Sequence, residues 1–197
     1  ASEGAIRYSL EVAYNYVDGL LQTIGADKNV TLVIHDWGSG IGFLWAMRHP
    51  AAVKGVAYME GIVKPVSWSD WPASAVGIFK GFRSDKGEDL ILNRNMFIEG
   101  VLPSSVIRPL SDAEMDAYRA PHLEADDRQP LLNWPRQIPI EGEPDDVVAL
   151  VKEYGAFMAG SDIPKLFINA EPGSILVGPQ REFCRSWPNQ QEVTVKG

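Results

Sequence analysis

The chain predicts an α/β fold, with a doubly wound, mainly parallel sheet interrupted by an inserted helical cap. Three observations lead there. The runs Val30–Ile34, Val53–Met59 and Pro164–Asn169 are short, apolar and rich in β-branched residues, as suits strands buried on both faces. The first two frame a glycine-rich turn and a helix, the strand–turn–helix–strand unit of such a sheet. Between Pro65 and Gly160 prolines, tryptophans and short helical stretches alternate without any strand pattern.

In order along the chain, residues 7–24 carry Leu10, Ala13, Tyr14, Val17, Leu20, Leu21 and Ile24 at helical spacing, ended by Gly25-Ala26-Asp27. The strand from Val30 runs into a tight turn at His35–Gly40. A helix over Ile41–Arg48 stops at His49-Pro50, and the strand from Val53 closes on Glu60. Cap helices are predicted at Pro72–Phe82, Gly87–Asn95, Asp112–Tyr118 and Pro144–Met158. A strand at Pro164–Asn169, a helix at Pro179–Trp187 and a last strand at Gln191–Val195 follow. The domain division is therefore a partial core over 1–64 and 161–197, with a cap over 65–160. Four strands leave the sheet with open edges, a liability in a core sheet, so the natural protein is expected to extend at both ends. The opening Ala1-Ser2-Glu3-Gly4 need not be its natural start.

Composition bounds the function. With 197 residues, 45% hydrophobic and 22% charged, the chain suits one globular domain or one with an insertion. A net charge of −8 argues against nucleic acid and against anionic membrane surfaces. No apolar run approaches the roughly 18 residues of a membrane span, and no signal peptide is read. A cytoplasmic location is expected, with the periplasm compatible, as a monomer or weak homo-oligomer. The single cysteine, Cys184, sits in a helical setting as an inert buried thiol. Asn29-Val30-Thr31 matches a glycosylation acceptor, read as accidental at a strand entrance.

The chemistry concentrates at the turn after the first strand. Open parallel sheets bind ligands at the carboxyl ends of their strands, and two acids, Asp36 and Glu60, stand at such ends. Asp36 holds the apex of a strand-to-helix elbow, the position that exposes a nucleophile above a sheet. A carboxylate there can displace a leaving group at saturated carbon and form an ester that water then opens. Trp37 brings an indole N–H, a donor suited to a departing anion, and the helix near Gly38 adds backbone N–H groups. Gly38, Gly40 and Gly42 are expected to let this helix pack closely. Strand, glycine-rich turn, helix and an acid about 20 residues on also describe a dinucleotide site. Here the third glycine comes one place early, and Trp37 fills the space pyrophosphate needs. Ser39 lies past the apex and is a poor nucleophile.

Ile34-His35-Asp36-Trp37-Gly38-Ser39 closely resembles the haloalkane dehalogenases. So do Tyr58-Met59-Glu60-Gly61-Ile62, Phe97-Ile98-Glu99 with Val101-Leu102-Pro103, Trp134–Pro139 and Ile168-Asn169-Ala170-Glu171-Pro172-Gly173. The resemblance implies the α/β-hydrolase fold and hydrolytic dehalogenation of a small apolar halogenated substrate, with release of halide and no metal or organic cofactor. It implies Asp36 as nucleophile, Glu60 as the acid orienting a catalytic histidine, and Trp37 as halide and oxyanion donor. Trp71, Phe79, Phe97, Ser105, Pro135, Ile138, Ser174 and Ile175 would line the substrate pocket, with Ser105 near an access tunnel. The family's catalytic histidine falls just beyond the position of Gly197, and its halide-binding asparagine falls upstream. The histidines present, His35, His49 and His122, are read as structural, as a helix-end charge and as exposed, respectively.

Other readings remain open at this point. The sea-pansy type of coelenterazine luciferase shares the elbow, the Glu60 position and the Leu-Pro-Ser stretch. Epoxide hydrolases share His-Asp-Trp-Gly and draw acid donors from cap tyrosines, for which Tyr118 and Tyr154 are of the right type. A hydrolase fold retained purely for binding is the non-enzymatic reading.

Overall fold

The structure, a computed structural model, describes residues 7–197; the opening Ala1–Gly4 lies outside them. In chain order the elements are α1 (Leu10–Thr23), β1 (Val30–Asp36), α2 (Trp37–Arg48), β2 (Val53–Gly61), α3 (Ala73–Arg83), α4 (Asp112–Arg119), α5 (Gln129–Gln137), α6 (Asp145–Gly160), β3 (Lys165–Glu171), α7 (Gly178–Arg185) and β4 (Gln190–Lys196). The chain divides into two compact units. One holds Leu10–Pro72 and Pro139–Gly197, and the other is built on Ala73–Ile138.

The larger unit carries a four-stranded sheet in the order β1-β2-β3-β4. Every pairing is parallel, from Val30 opposite Val53 to Glu171 opposite Lys196. The strands that the apolar runs predicted are there, each extended by a residue or two at its carboxyl end. β1, however, is not buried on both faces as expected: among the described residues nothing covers the face that carries Thr31, Val33 and His35, and Val33 is 70% exposed. Helix α2 begins at Trp37, so the glycine-rich turn is the first turn of the helix itself. It is apolar nearly all round and buries Phe43, Leu44, Trp45 and Ala46, as a helix packed on several sides must. Phe43, Tyr58, Phe167 and Trp187 form the aromatic centre, with ring centroids 5.3–5.5 Å apart in successive contacts. Helix α6 buries Val147, Val151, Tyr154 and Met158 in the same core, and the Tyr154 hydroxyl donates to Ile62 O at 2.6 Å. The segment 139–160, expected within an insert over 65–160, thus packs in the sheet-bearing unit. Lys165, buried at the start of β3, turns its ammonium onto the carbonyls of Ser161, Ile163 and Pro188.

The smaller unit is helical. Phe82, Ile91 and Leu132 form its buried cluster. Helix α4 starts with a reciprocal cap: Ser111 Oγ accepts from Glu114 N, and the Glu114 carboxylate accepts from Ser111 N at 2.8 Å. Two stretches, Asp89–Asn93 and Phe97–Val101, are wound as π-helix. The predicted helix over Gly87–Asn95 is therefore partly π-helical, and α5 forms where no helix was predicted. Its prolines mislead: Pro130 sits in the first turn, where a missing N–H costs nothing, while Pro135 is a true interior proline.

Of the three glycines expected to let α2 pack closely, only Gly42 meets that requirement. A Cβ on Gly42 would lie 2.7 Å from Ile34 Cγ2, one on Gly40 would make ordinary contact with the Trp37 ring at 3.4 Å, and one on Gly38 would meet nothing. Gly42→Ala is expected to destabilise the protein by roughly 1–3 kcal/mol, because the branched Ile34 side chain has to move within the core. Gly38→Ala should instead be neutral or stabilising by up to about 1 kcal/mol through helix propensity. Urea denaturation of the two variants side by side checks the contrast.

Candidate active site

Asp36 ends β1 with φ 48° and ψ −128°. A non-glycine residue at positive φ costs on the order of 1–3 kcal/mol and persists only where its surroundings hold it. Here the hold is visible. Ser39 Oγ donates to Asp36 O at 2.5 Å and accepts from Ile62 N at 2.8 Å. One hydroxyl thus ties the elbow to the residue that follows β2. Gly61 makes room for it, since a Cβ there would lie 3.0 Å from Ser39 Oγ. Ser39 itself is fully buried, which disposes of it as a nucleophile and gives it a structural task.

Burial dominates the Asp36 carboxyl and pushes its pKa above the ordinary aspartate value. The backbone N–H of Trp37, hydrogen-bonded to it, and the nearby His35 pull the other way, while the charge of Glu60 adds to the rise. The Trp37 ring lies over Gly40 at the start of α2.

Glu60 stands near the end of the neighbouring strand, also at positive φ, 39°. Its Oε2 accepts two backbone N–H groups, from Ser174 at 2.6 Å and Ile175 at 2.7 Å. These belong to the loop that leaves β3 through Glu171-Pro172-Gly173. The other oxygen, Oε1, is buried and has no hydrogen-bond partner among the described residues. A buried carboxylate oxygen left unpaired is costly, so this is an acceptor suited to one more donor. The two amide donors were not visible in the sequence reading, which cast Ser174 and Ile175 only as pocket lining.

The other predicted residues distribute as follows. Trp71 lies in the larger unit, half-buried, its ring edge-on to Trp68 at 6.4 Å. Phe79, Phe97, Ser105, Pro135 and Ile138 belong to the smaller unit. There Phe79 and Phe97 flank the buried Phe82 ring at 5.8 and 6.2 Å. Pro135 is buried, Ile138 half-buried, and Ser105 exposed with its hydroxyl on Val101 O at 2.7 Å.

The three histidines have other roles. His35 is exposed and sits one residue before Asp36, on the opposite face of β1. His49 Nε2 lies 2.9 Å from Asp18 Oδ1 and 3.2 Å from the Tyr14 hydroxyl, a closer engagement than a bare helix-end charge. His122, predicted to be exposed, is half-buried with Nδ1 3.2 Å from Asp127 O. Cys184 is buried, and burial pushes its thiol up to about 11, in keeping with an inert role. Among the described residues, no helix is long and apolar enough to cross a membrane.

The family description of the α/β-hydrolase fold matches residues 2–94. A haloalkane dehalogenase of Sphingobium indicum is 51% identical over 195 residues, which is 98% of this chain. The chain spans 66% of the length of that curated relative. The crystal structure of a putative ancestral haloalkane dehalogenase, AncHLD2, superposes with a TM-score of 0.89 at 36% identity, covering 96% of this chain and 67% of its own. The coelenterazine h 2-monooxygenase of Renilla reniformis is more distant, 34% identical over 96% of this chain and 62% of its own length.

The raised Asp36 pKa carries a sign for stability. In the folded state the protonated carboxyl is favoured, so its stabilising contribution is present in acid and is lost as pH rises through the folded pKa. Once ionised, the mostly buried carboxylate weakens the fold. Asp36→Asn is therefore expected to raise Tm at neutral pH. The gap to the parent should close as pH falls below the Asp36 pKa. Thermal melts of both proteins across pH 3–8 read this directly; a gap that widens in acid is the opposite sign.

Proposed function

The chain belongs to the α/β-hydrolases and, within them, to the haloalkane dehalogenases, and on that footing we propose that the protein hydrolyses haloalkanes through a covalent ester on Asp36. The observation that carries the reading is the pairing at the two strand ends. A strained, mostly buried carboxylate stands beside a second acid whose outer oxygen is anchored by two amides and whose inner oxygen is unpaired.

Asp36 attacks the halogen-bearing carbon in line. The carbon–halogen bond breaks as the carbon–oxygen bond forms, and the halide leaves with the bonding pair. Burial of Asp36 strips water from the attacking oxygens and replaces it with the fixed Trp37 N–H. The Trp37 indole N–H is assigned to the departing halide and the Trp37 backbone N–H to the ester oxyanion. Water then opens the ester at its carbonyl, giving alcohol and a proton. That step takes a general base; as the family reading implies, this would be a histidine, and Glu60 Oε1 would accept its Nδ1–H and stabilise its charged form. In the larger unit Trp71, Ser174 and Ile175 would offer substrate-facing surface, and in the smaller unit Phe79, Phe97, Pro135 and Ile138 would offer apolar surface suited to a halogenated hydrocarbon.

The elbow is common to the Renilla oxygenase, so light on adding coelenterazine tests the competing chemistry. The direct test is intact mass spectrometry of the protein with 1-bromobutane. A butyl adduct or free bromide is expected, and Asp36→Asn should abolish both, lowering the rate by about 10⁴-fold or more. Trp37→Phe should slow alkylation by about 10²-fold through loss of one donor to the leaving anion. In Glu60→Gln alkylation should persist while the adduct outlives that of the parent. A folded parent protein giving neither adduct nor bromide overturns the proposal.

A further inference from the structure

Neither α3 nor α5 is followed by a glycine: Ser84 comes after Arg83, and Ile138-Pro139 after Gln137. Their last carbonyls still require donors, because the final turn of a helix leaves its C=O groups without partners inside it. Two arginines supply donors crosswise. Arg83, the last residue of α3, reaches through Nη1 to Pro135 O at 3.1 Å, Arg136 O at 3.2 Å and Ile138 O at 2.8 Å. Arg136, in the last turn of α5, donates from Nε to Phe82 O at 2.9 Å and from Nη2 to Ser84 O at 3.3 Å. Each guanidinium thus lies at the negative end of the other helix, where a cation is favoured.

Gly87 is shaped to this arrangement. A Cβ there would lie 2.2 Å from Phe82 O and 2.7 Å from Arg136 Nη2, the same two atoms that bond to each other's side of the clamp. Its φ is unexceptional, so the glycine is required for space and not for conformation.

The joined segments carry wall residues. Phe79 lies one turn before Arg83 on α3, stacked edge-on against Phe82. Pro135 and Ile138 are themselves acceptors of Arg83. We propose that Arg83 and Arg136 are positioning residues for substrate size: by capping each other's helices they hold Phe79 and the Pro135–Ile138 segment at one spacing. The inference rests on the dehalogenase reading above. It adds that substrate length is discriminated by a polar clamp which touches no substrate.

The test is steady-state kinetics of the intact protein with 1-bromobutane and 1-bromooctane. Arg83→Met and Arg136→Met are expected to shift the ratio of kcat/KM between the two substrates by about tenfold, the scale on which small displacements act. The change should fall on KM and not on kcat. Arg83→Lys, which keeps a cation and several donors, should stay near the parent ratio. Arg136→Lys should not, because an ammonium cannot reproduce a bond from Nε and another from Nη2. The double methionine variant should be no worse than either single variant, as expected for two parts of one device. If the methionine variants do not fold, the two lysine variants carry the same comparison. An unchanged ratio in folded variants, or an equal fall in kcat for both substrates, overturns the inference alone. Absence of bromide release by the parent protein from either bromoalkane removes the dehalogenase reading and the inference with it.

Discussion

Ser39 contributes a single hydroxyl, yet the two acids of the site depend on it. It donates to the carbonyl of Asp36 and accepts the amide of Ile62, so the end of β1 and the end of β2 are tied through one oxygen. Both acids sit at positive φ, 48° and 39°. Such backbone is sustained by what surrounds it and not by local preference. The register shifts between His35 and Asp36, so that Asp36 falls opposite Gly61. That irregularity is what brings the hydroxyl and the Ile62 amide within reach of each other. A bulkier residue at 61 would crowd it, which makes Gly61 part of the elbow.

From this constraint the two carboxylates acquire different surroundings. Asp36 is mostly buried with the Trp37 N–H bonded to it, so desolvation dominates and the group gains by reacting or being neutralised. Glu60 is gripped by two amides on one oxygen and presents the other. Under the proposed reaction, neighbouring acids whose environments differ in this way would divide labour between an attacking group and an orienting one. The division follows from which backbone N–H groups each carboxylate meets, and those are set by the chain's path after β1 and after β3.

What could be read in the sequence was the part governed by local pattern. Val30–Ile34 and Val53–Met59 announce strands, though not the exposed face of β1, the Asp36 elbow follows from its place between strand and helix, and five family segments in order carried the family. What could not be read was governed by contact at a distance. Ser174 and Ile175 bind Glu60 across more than a hundred residues with their backbone, which leaves no side-chain signal. The π-helical turns at Asp89–Asn93 and Phe97–Val101 lack a pattern distinct from α-helix, and α5 hides behind its two prolines. Three glycines looked alike in sequence, and only the position of Ile34 singles out Gly42.

The two units also differ in what holds them, and the difference bears on how the protein can vary. The larger unit rests on a hydrogen-bonded sheet and an interlocked aromatic centre, where a change of one methylene is felt by its neighbours. The smaller has a buried apolar cluster of Phe82, Ile91 and Leu132, with Ile78, Leu90, Leu92, Met96, Phe97, Val101 and Leu131 packed against it. Arginines add a second hold. Arg128 bonds to the carbonyls of Leu92, His122 and Leu123 at 2.6–2.9 Å, and Arg83 and Arg136 cap α3 and α5. Backbone carbonyls are present whatever the side chain, so bonds to them survive substitution of the residue that offers them. A helical unit held in this way can exchange side chains without losing its frame, while the strand ends, with two acids at positive φ, tolerate little change.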